Sequence, residues 1–132
     1  SKLSLDSNRL TIVKKTLFTG LENLVTLILS NNNITQIEPG SFVHLTDLNV
    51  LDLENNKLQI VDPAWLFGRT VIKTIYLGFN EISSISPGSF QHLSLNRLDL
   101  MGNNLSRLDG EVLLGQSLLS RLQISSGMLS SV

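Results

Sequence analysis

Three carboxylates, Asp52, Glu54 and Asp99, come closest to a catalytic constellation in this sequence. Asp52 and Glu54 stand two residues apart, which on one face of a β-strand is about 7 Å, nominally inside the range of an inverting glycosidase pair. Asp52 and Asp99 take equivalent places two strands apart, at about 10 Å, just past that range. Such a pair works only if one carboxyl stays protonated and bulk water is excluded, and an open sheet is expected neither to exclude bulk water nor to raise one carboxyl pKa. His44 and His92 are the other candidates. They recur at one position two turns of the chain apart, on the side away from the strand carboxylates, so no Ser-His-Asp arrangement can assemble. Their separation of at least about 10 Å also exceeds the ~4 Å that two zinc to nitrogen bonds set. Glycine-rich phosphate loops, a P-loop lysine and a metal-binding acidic cluster are all missing from the pattern. The chain reads as a binder and not an enzyme, with no cofactor and no metal.

Charge and composition narrow the partners. Ten basic against eleven acidic side chains give a net charge of −1, which removes the electrostatic case for nucleic acid or an anionic membrane. No apolar run approaches the roughly 20 residues of a membrane span. The absence of cysteine excludes a disulfide framework, a thiol nucleophile and cysteine-ligated metal. The sequence opens on Ser1 and Lys2 without a basic-then-apolar leader, so any targeting segment is expected to lie outside it.

A repeat positions these residues. Leu24, Leu27, Leu29, Asn32, Ile34, Ile37, Phe42 and Leu45 recur as Leu48, Leu51, Leu53, Asn56, Leu58, Val61 and Leu66. Ile72, Ile75, Leu77, Asn80, Ile82, Ile85, Phe90 and Leu93 follow, and then Leu95, Leu98, Leu100, Asn103, Leu105, Leu108 and Leu113. Incomplete units flank these at Leu3, Leu5, Asn8, Leu10, Val13, Phe18 and Leu21, and at Leu119, Leu122, Ile124, Leu129 and Val132. The whole chain divides into units 1–23, 24–47, 48–71, 72–94, 95–118 and 119–132 of one domain. The alternation in Leu27, Ile28, Leu29 has the period of a strand, with Ile28 on the face opposite its neighbours. A single coil cannot bury its leucines, so coils must stack and their strands must form a parallel sheet. The asparagine column (Asn8, Asn32, Asn56, Asn80, Asn103) is expected to satisfy main-chain groups inside the turn after each strand, a structural role. At that place in the last unit stands Gly127. Phe18, Phe42 and Phe90, with Leu66 and Leu113 at the same position, read as core wedges, and Trp65 beside Leu66 reads as core.

The spacing LxxLxLxxNxL is that of leucine-rich repeats. The fold expected is an α/β solenoid, a horseshoe with a parallel concave sheet of about six short strands and irregular or short-helical convex crossings. The stretches IEPGSFVHLTDLNVLDLENNKL and ISPGSFQHLSLNRLDLMGNNL resemble the 24-residue repeats of animal extracellular leucine-rich proteins, above all Toll-like receptor ectodomains and variable lymphocyte receptors. That resemblance implies a secreted or cell-surface module that binds microbial surface molecules or proteins on its concave sheet. It also implies cysteine-bearing caps, which this sequence lacks. Two N-glycosylation sequons, at Asn33 and Asn104, fit an extracellular setting.

Core packing does not dictate the outward strand positions, so they carry the specificity. They place Ile28, Val50, Tyr76 and Met101 on consecutive strands, with Phe79 on the adjoining turn and Asp52, Glu54, Arg97 and Asp99 beside them. Apolar and aromatic groups framed by charge form a ligand-binding patch. It suits basic or amphiphilic protein surfaces or sugar rings stacked on Tyr76, while a blander arrangement would have Arg97 neutralise Asp99. Lys2, Arg97 and Arg121 offer a basic margin. The principal expectation is immune recognition of microbial molecules, and the alternative is an adhesive module of matrix or neuronal type. A third reading, an intracellular scaffold, draws on the missing cysteines. Bare leucines and unpaired main chain at both terminal strands predict self-association as a twofold dimer, with the run Leu122, Gln123, Ile124, Ser125 favoured over Lys2 to Asp6.

Overall fold

The computed structural model describes residues 1–68, 71–91, 93–105 and 121–123. Each unit contributes a three-residue strand to one sheet: β1 (Lys2–Ser4), β3 (Thr26–Ile28), β5 (Val50–Asp52), β7 (Thr74–Tyr76), β9 (Arg97–Asp99) and β10 (Arg121–Gln123). Their order is β1-β3-β5-β7-β9-β10 and every pairing is parallel. The centre of each inner strand (Leu27, Leu51, Ile75, Leu98) is buried, and the residues on either side of it face outward. Leu29, Leu53, Leu77 and Leu100, just past the strands, join the same core. The result is the leucine-rich horseshoe, with a hydrophobic slab between the sheet and the returning chain.

The asparagine column links one coil to the previous one. Asn56 Oδ1 accepts from the Ile34 N–H at 3.1 Å, while its Nδ2 donates to Leu29 O and Leu53 O. Asn32, Asn80 and Asn103 repeat the arrangement with Leu10, Leu58 and Ile82 as donors. Asn8 instead donates to Leu5 O and Asp6 O within its own turn and is exposed. Gly127, at that place in the last unit, lies outside the described residues.

Among the described residues the convex return consists mostly of turns, with a 3-10 helix at Pro63–Trp65. Phe18, Phe42 and Phe90 are fully buried wedges, and Phe18 stacks on Phe42 with centroids 6.1 Å apart. Trp65 and Leu66 are buried with them, whereas Leu113, Val112 and His92 lie outside the described residues. A feature the repeat spacing does not reveal is a second row of short strands: β2 (Ile12–Val13) pairs with β4 (Gln36–Ile37), and β6 (Ile60–Val61) pairs with β8 (Ser84–Ile85). Ser41 and Ser89 tie this row together by donating to Val13 O and Val61 O of the preceding coil. Trp65 stands where those serines stand and carries no hydroxyl. There the row is interrupted, and β4 and β6 do not pair.

At the outer strands, Leu3, Leu5, Leu10 and Leu122 are partly buried against the core. Leu119, Ile124, Leu129 and Val132 lie outside the described residues.

Candidate functional site

Parallel pairing in register turns the outward positions into columns across the concave sheet. Ile28, Asp52, Tyr76, Asp99 and Gln123 form one, and Thr26, Val50, Thr74, Arg97 and Arg121 another. Glu54, Asp99 and the Met101 carbonyl converge at Gly78, with Asp52, Tyr76 and Phe79 at neighbouring positions. A side chain at Gly78 would lie 3.2 Å from Met101 O, 3.4 Å from Asp99 Oδ1 and 3.6 Å from Glu54 Oε1. The missing side chain therefore leaves a notch floored by backbone, with a carboxylate from each neighbouring strand beside it. Ile28 and Val50, half-buried, flank this notch and are not part of it.

Just after the strand each coil places one residue in the left-handed region: Ser7 (φ 60°), Asn31 (57°), Asn55 (57°), Phe79 (56°) and Gly102 (73°). Glycine and asparagine tolerate that conformation; a bulky aromatic is disfavoured there. Asn55 Nδ2 donates to Asn31 Oδ1 at 2.6 Å, and Asn31 Nδ2 donates to Asp6 Oδ1 at 2.8 Å. Phe79 ends this amide chain. It is 55% exposed, its N–H donates to Met101 O at 2.7 Å, and its ring lies against Gly102. Met101, 40% exposed, completes an apolar rim beside the carboxylates.

One alternative about charge falls away, and one expectation needs correcting. Arg97 does not neutralise Asp99. Its guanidinium carbon lies 5.1 Å from the Tyr76 ring centroid, and Asp99 Oδ1 instead accepts from the Met101 N–H at 3.0 Å. The open sheet does raise carboxyl pKa values. Burial pushes Asp52 above its ordinary value, against the Glu54 N–H that it accepts, with negative Asp6 and Asp99 adding to the rise. Glu54 rises too, through burial and then the charges of Asp52 and Asp99. Asp6 moves down, because Ser30, Ser7 and Asn31 donate to its carboxylate. Among the described residues no group of three or more metal-ligating side chains could hold an ion.

Asp6 and Gly78 belong to this surface and were not singled out from spacing. Both stand in the outward column that includes Glu54 and Met101, so reading that column for charge and for a missing side chain would have found them. His44 is exposed on the convex return. Asn33 and Asn104 are exposed on a lateral flank, away from the concave columns, and Asn104 lines a groove of about 490 Å³ with Gln59 and Glu81. Ser106 of its sequon lies outside the described residues.

The profile of the leucine rich repeat family matches residues 1–58 and 46–105. The chain belongs to the leucine-rich repeat family. Among solved structures, this leucine-rich repeat chain is similar to the crystal structure of the TLR13–ssRNA13 complex, with 34% sequence identity and a TM-score of 0.86. The similarity covers 92% of this chain and 18% of that one, so the chain spans less than a fifth of the receptor it matches. Its repeats thus resemble those of Toll-like receptor ectodomains. No curated protein matches. No described helix is long and apolar enough to cross a membrane.

Proposed function

We propose that this leucine-rich repeat segment is a non-enzymatic recognition module of an extracellular immune receptor. It binds a microbial surface molecule through the concave patch of Ile28, Val50, Asp52, Glu54, Tyr76, Phe79, Arg97, Asp99 and Met101. The observation that carries the reading is Phe79. An aromatic in a left-handed position costs about 1–2 kcal/mol, and here it is neither buried in the core nor part of the amide chain. Strain kept at an exposed aromatic beside clustered charge fits a ligand anchor. The likeness to a Toll-like receptor solved with ssRNA supports the immune reading, and it lends no support to the exclusion of nucleic acid drawn from net charge. The acidic strip of Asp6, Asp52, Glu54 and Asp99 still disfavours a polyanion at the centre of this segment.

The test compares capture of whole bacteria with capture on immobilised host matrix proteins, using the parent chain and Phe79→Asn. Bacterial capture that falls about tenfold or more in the variant, as loss of a hot-spot aromatic predicts, supports the proposal. Capture on matrix proteins alone overturns it in favour of an adhesive module. Glycans on Asn33 or Asn104 in the native source, detected by mass spectrometry, belong to the same proposal, and their absence from both would count against the extracellular setting. So does pairing through an outer strand, β1 or β10: light scattering that shows a monomer at every concentration would remove it.

A further inference from the structure

The concave sheet holds a second feature, at the other end of the strands from the acidic strip. Arg97 and Arg121 are partners in the β9–β10 register, so two arginines stand on one face a strand spacing of about 4.8 Å apart. Like charges directly opposite on neighbouring strands are unfavourable, and a carboxylate between them is the usual remedy. None is there. The ion pair found among the described residues is Lys57 with Glu81 at 4.0 Å, far along the flank. Asp99, two residues beyond Arg97, is engaged with the Met101 N–H.

Arg97 is also poorly used where it lies. Its Nη2 reaches the neutral Gln123 Oε1 at 3.4 Å, at the long limit of a hydrogen bond, and its Nε is enclosed with no partner. Tyr76 holds the guanidinium by its ring face alone. A side chain in that pose gains partners for its N–H donors when it swings toward an acceptor, and gives up one long hydrogen bond and the ring contact.

We propose that Arg97 and Arg121 form a subsite for a single tetrahedral oxyanion, a phosphate or sulfate monoester, with the organic part of the ligand lying on Tyr76. The planar fork of a guanidinium offers two parallel donors to such a group, and two forks from adjacent strands can hold it from both sides. The neighbouring carboxylates Asp52, Glu54 and Asp99 confine the site to a lone charge. An extended polyanion would lay its next charge over them. The subsite shares Arg97 and Tyr76 with the patch proposed above but does not depend on the reading carried by Phe79, because Phe79 and Met101 take no part.

The experiment titrates phenyl phosphate and phenyl sulfate into the whole chain and follows the Arg Nε–H and Tyr76 ring signals by NMR. Saturable shifts with either ester are expected, and the response to both or to one identifies the favoured oxyanion. Arg121→Gln should weaken binding about fivefold or more, consistent with the loss of a charge-assisted pair. Arg121 is exposed, so this variant leaves the core intact. Arg97→Lys, which keeps charge and loses the fork, should weaken phenyl phosphate as well. Phe79→Asn should leave ester binding unchanged while lowering capture of bacteria about tenfold or more, which separates this subsite from the patch. No saturable shift with either ester, or equal shifts in the parent and Arg121→Gln, overturns the proposal.

Discussion

The ring of Phe79 lies directly over Gly102, so closely that a Cβ on that glycine would overlap its Cδ1 and Cε1 atoms. Both residues occupy the left-handed position of their turns, in successive coils. Gly102→Ala thus meets two obstacles: its own φ of 73° and the aromatic ring. The expected cost is about 2–4 kcal/mol in the parent chain and about 1–2 kcal/mol in a Phe79→Asn background, where the ring is gone. Urea unfolding of the four proteins in a double-mutant cycle measures the difference. Equal costs in both backgrounds would show that the ring is not held against the glycine.

Phe79→Asn alone should stabilise the chain. Asparagine accepts a left-handed φ, and an amide at this place can extend the run from Asp6 through Asn31 to Asn55. A gain of about 1 kcal/mol in urea unfolding is expected. A loss of stability would mean that Phe79 contributes packing that outweighs its strain.

Asn80 and Asn8 share a column and should differ sharply when truncated. Asn80→Ala leaves the buried Leu58 N–H without its acceptor and removes donors to Leu53 O and Leu77 O. About 2–3 kcal/mol should be lost. Asn8→Ala removes two bonds in an exposed turn, and should cost less than about 1 kcal/mol. Similar losses at both sites, read from urea midpoints, would contradict the inter-coil bond as the source of the cost.

The fold was legible because packing alone dictates the type and period of Leu27, Leu51, Ile75 and Leu98: each must fill the same slab, so a spacing of 24, 24 and 23 residues writes the sheet directly into the sequence. The outward columns were legible for the same reason, since parallel register follows from the repeat. Side-chain direction was not. Arg97 lies over the Tyr76 ring, and Asp99 Oδ1 accepts from the Met101 N–H, two local contacts that spacing does not display. The rise in the Asp52 pKa depends on how far neighbouring side chains close over the strand, which a column of letters does not record. The break between β4 and β6 goes with one departure from the repeat, Trp65 in the serine column, and becomes visible only when the hydroxyls of Ser41 and Ser89 are seen bonding the preceding coil.

Stability should depend on pH through Asp52 in the sense opposite to a paired carboxylate. Its folded-state pKa lies above the ordinary 3.8, so the folded chain holds this proton more tightly than the unfolded chain does. The contribution of Asp52 is therefore most favourable below 3.8 and is lost as pH rises through the elevated folded value. Glu54 shifts in the same direction and adds to the effect, whereas Asp6, shifted down, opposes it: its hydrogen bonds with Ser30, Ser7 and Asn31 favour folding at neutral pH and fade in acid. The net curve mixes the three, so the substitution is the clean readout. Asp52→Asn keeps an acceptor for the Glu54 N–H and removes the charge. It should raise the urea midpoint at pH 7 and have little effect near pH 3, where the parent residue is already neutral. A benefit of equal size at both pH values would show that the cost of Asp52 is not its buried charge. A loss at pH 7 would show that the carboxylate stabilises the strand it sits on.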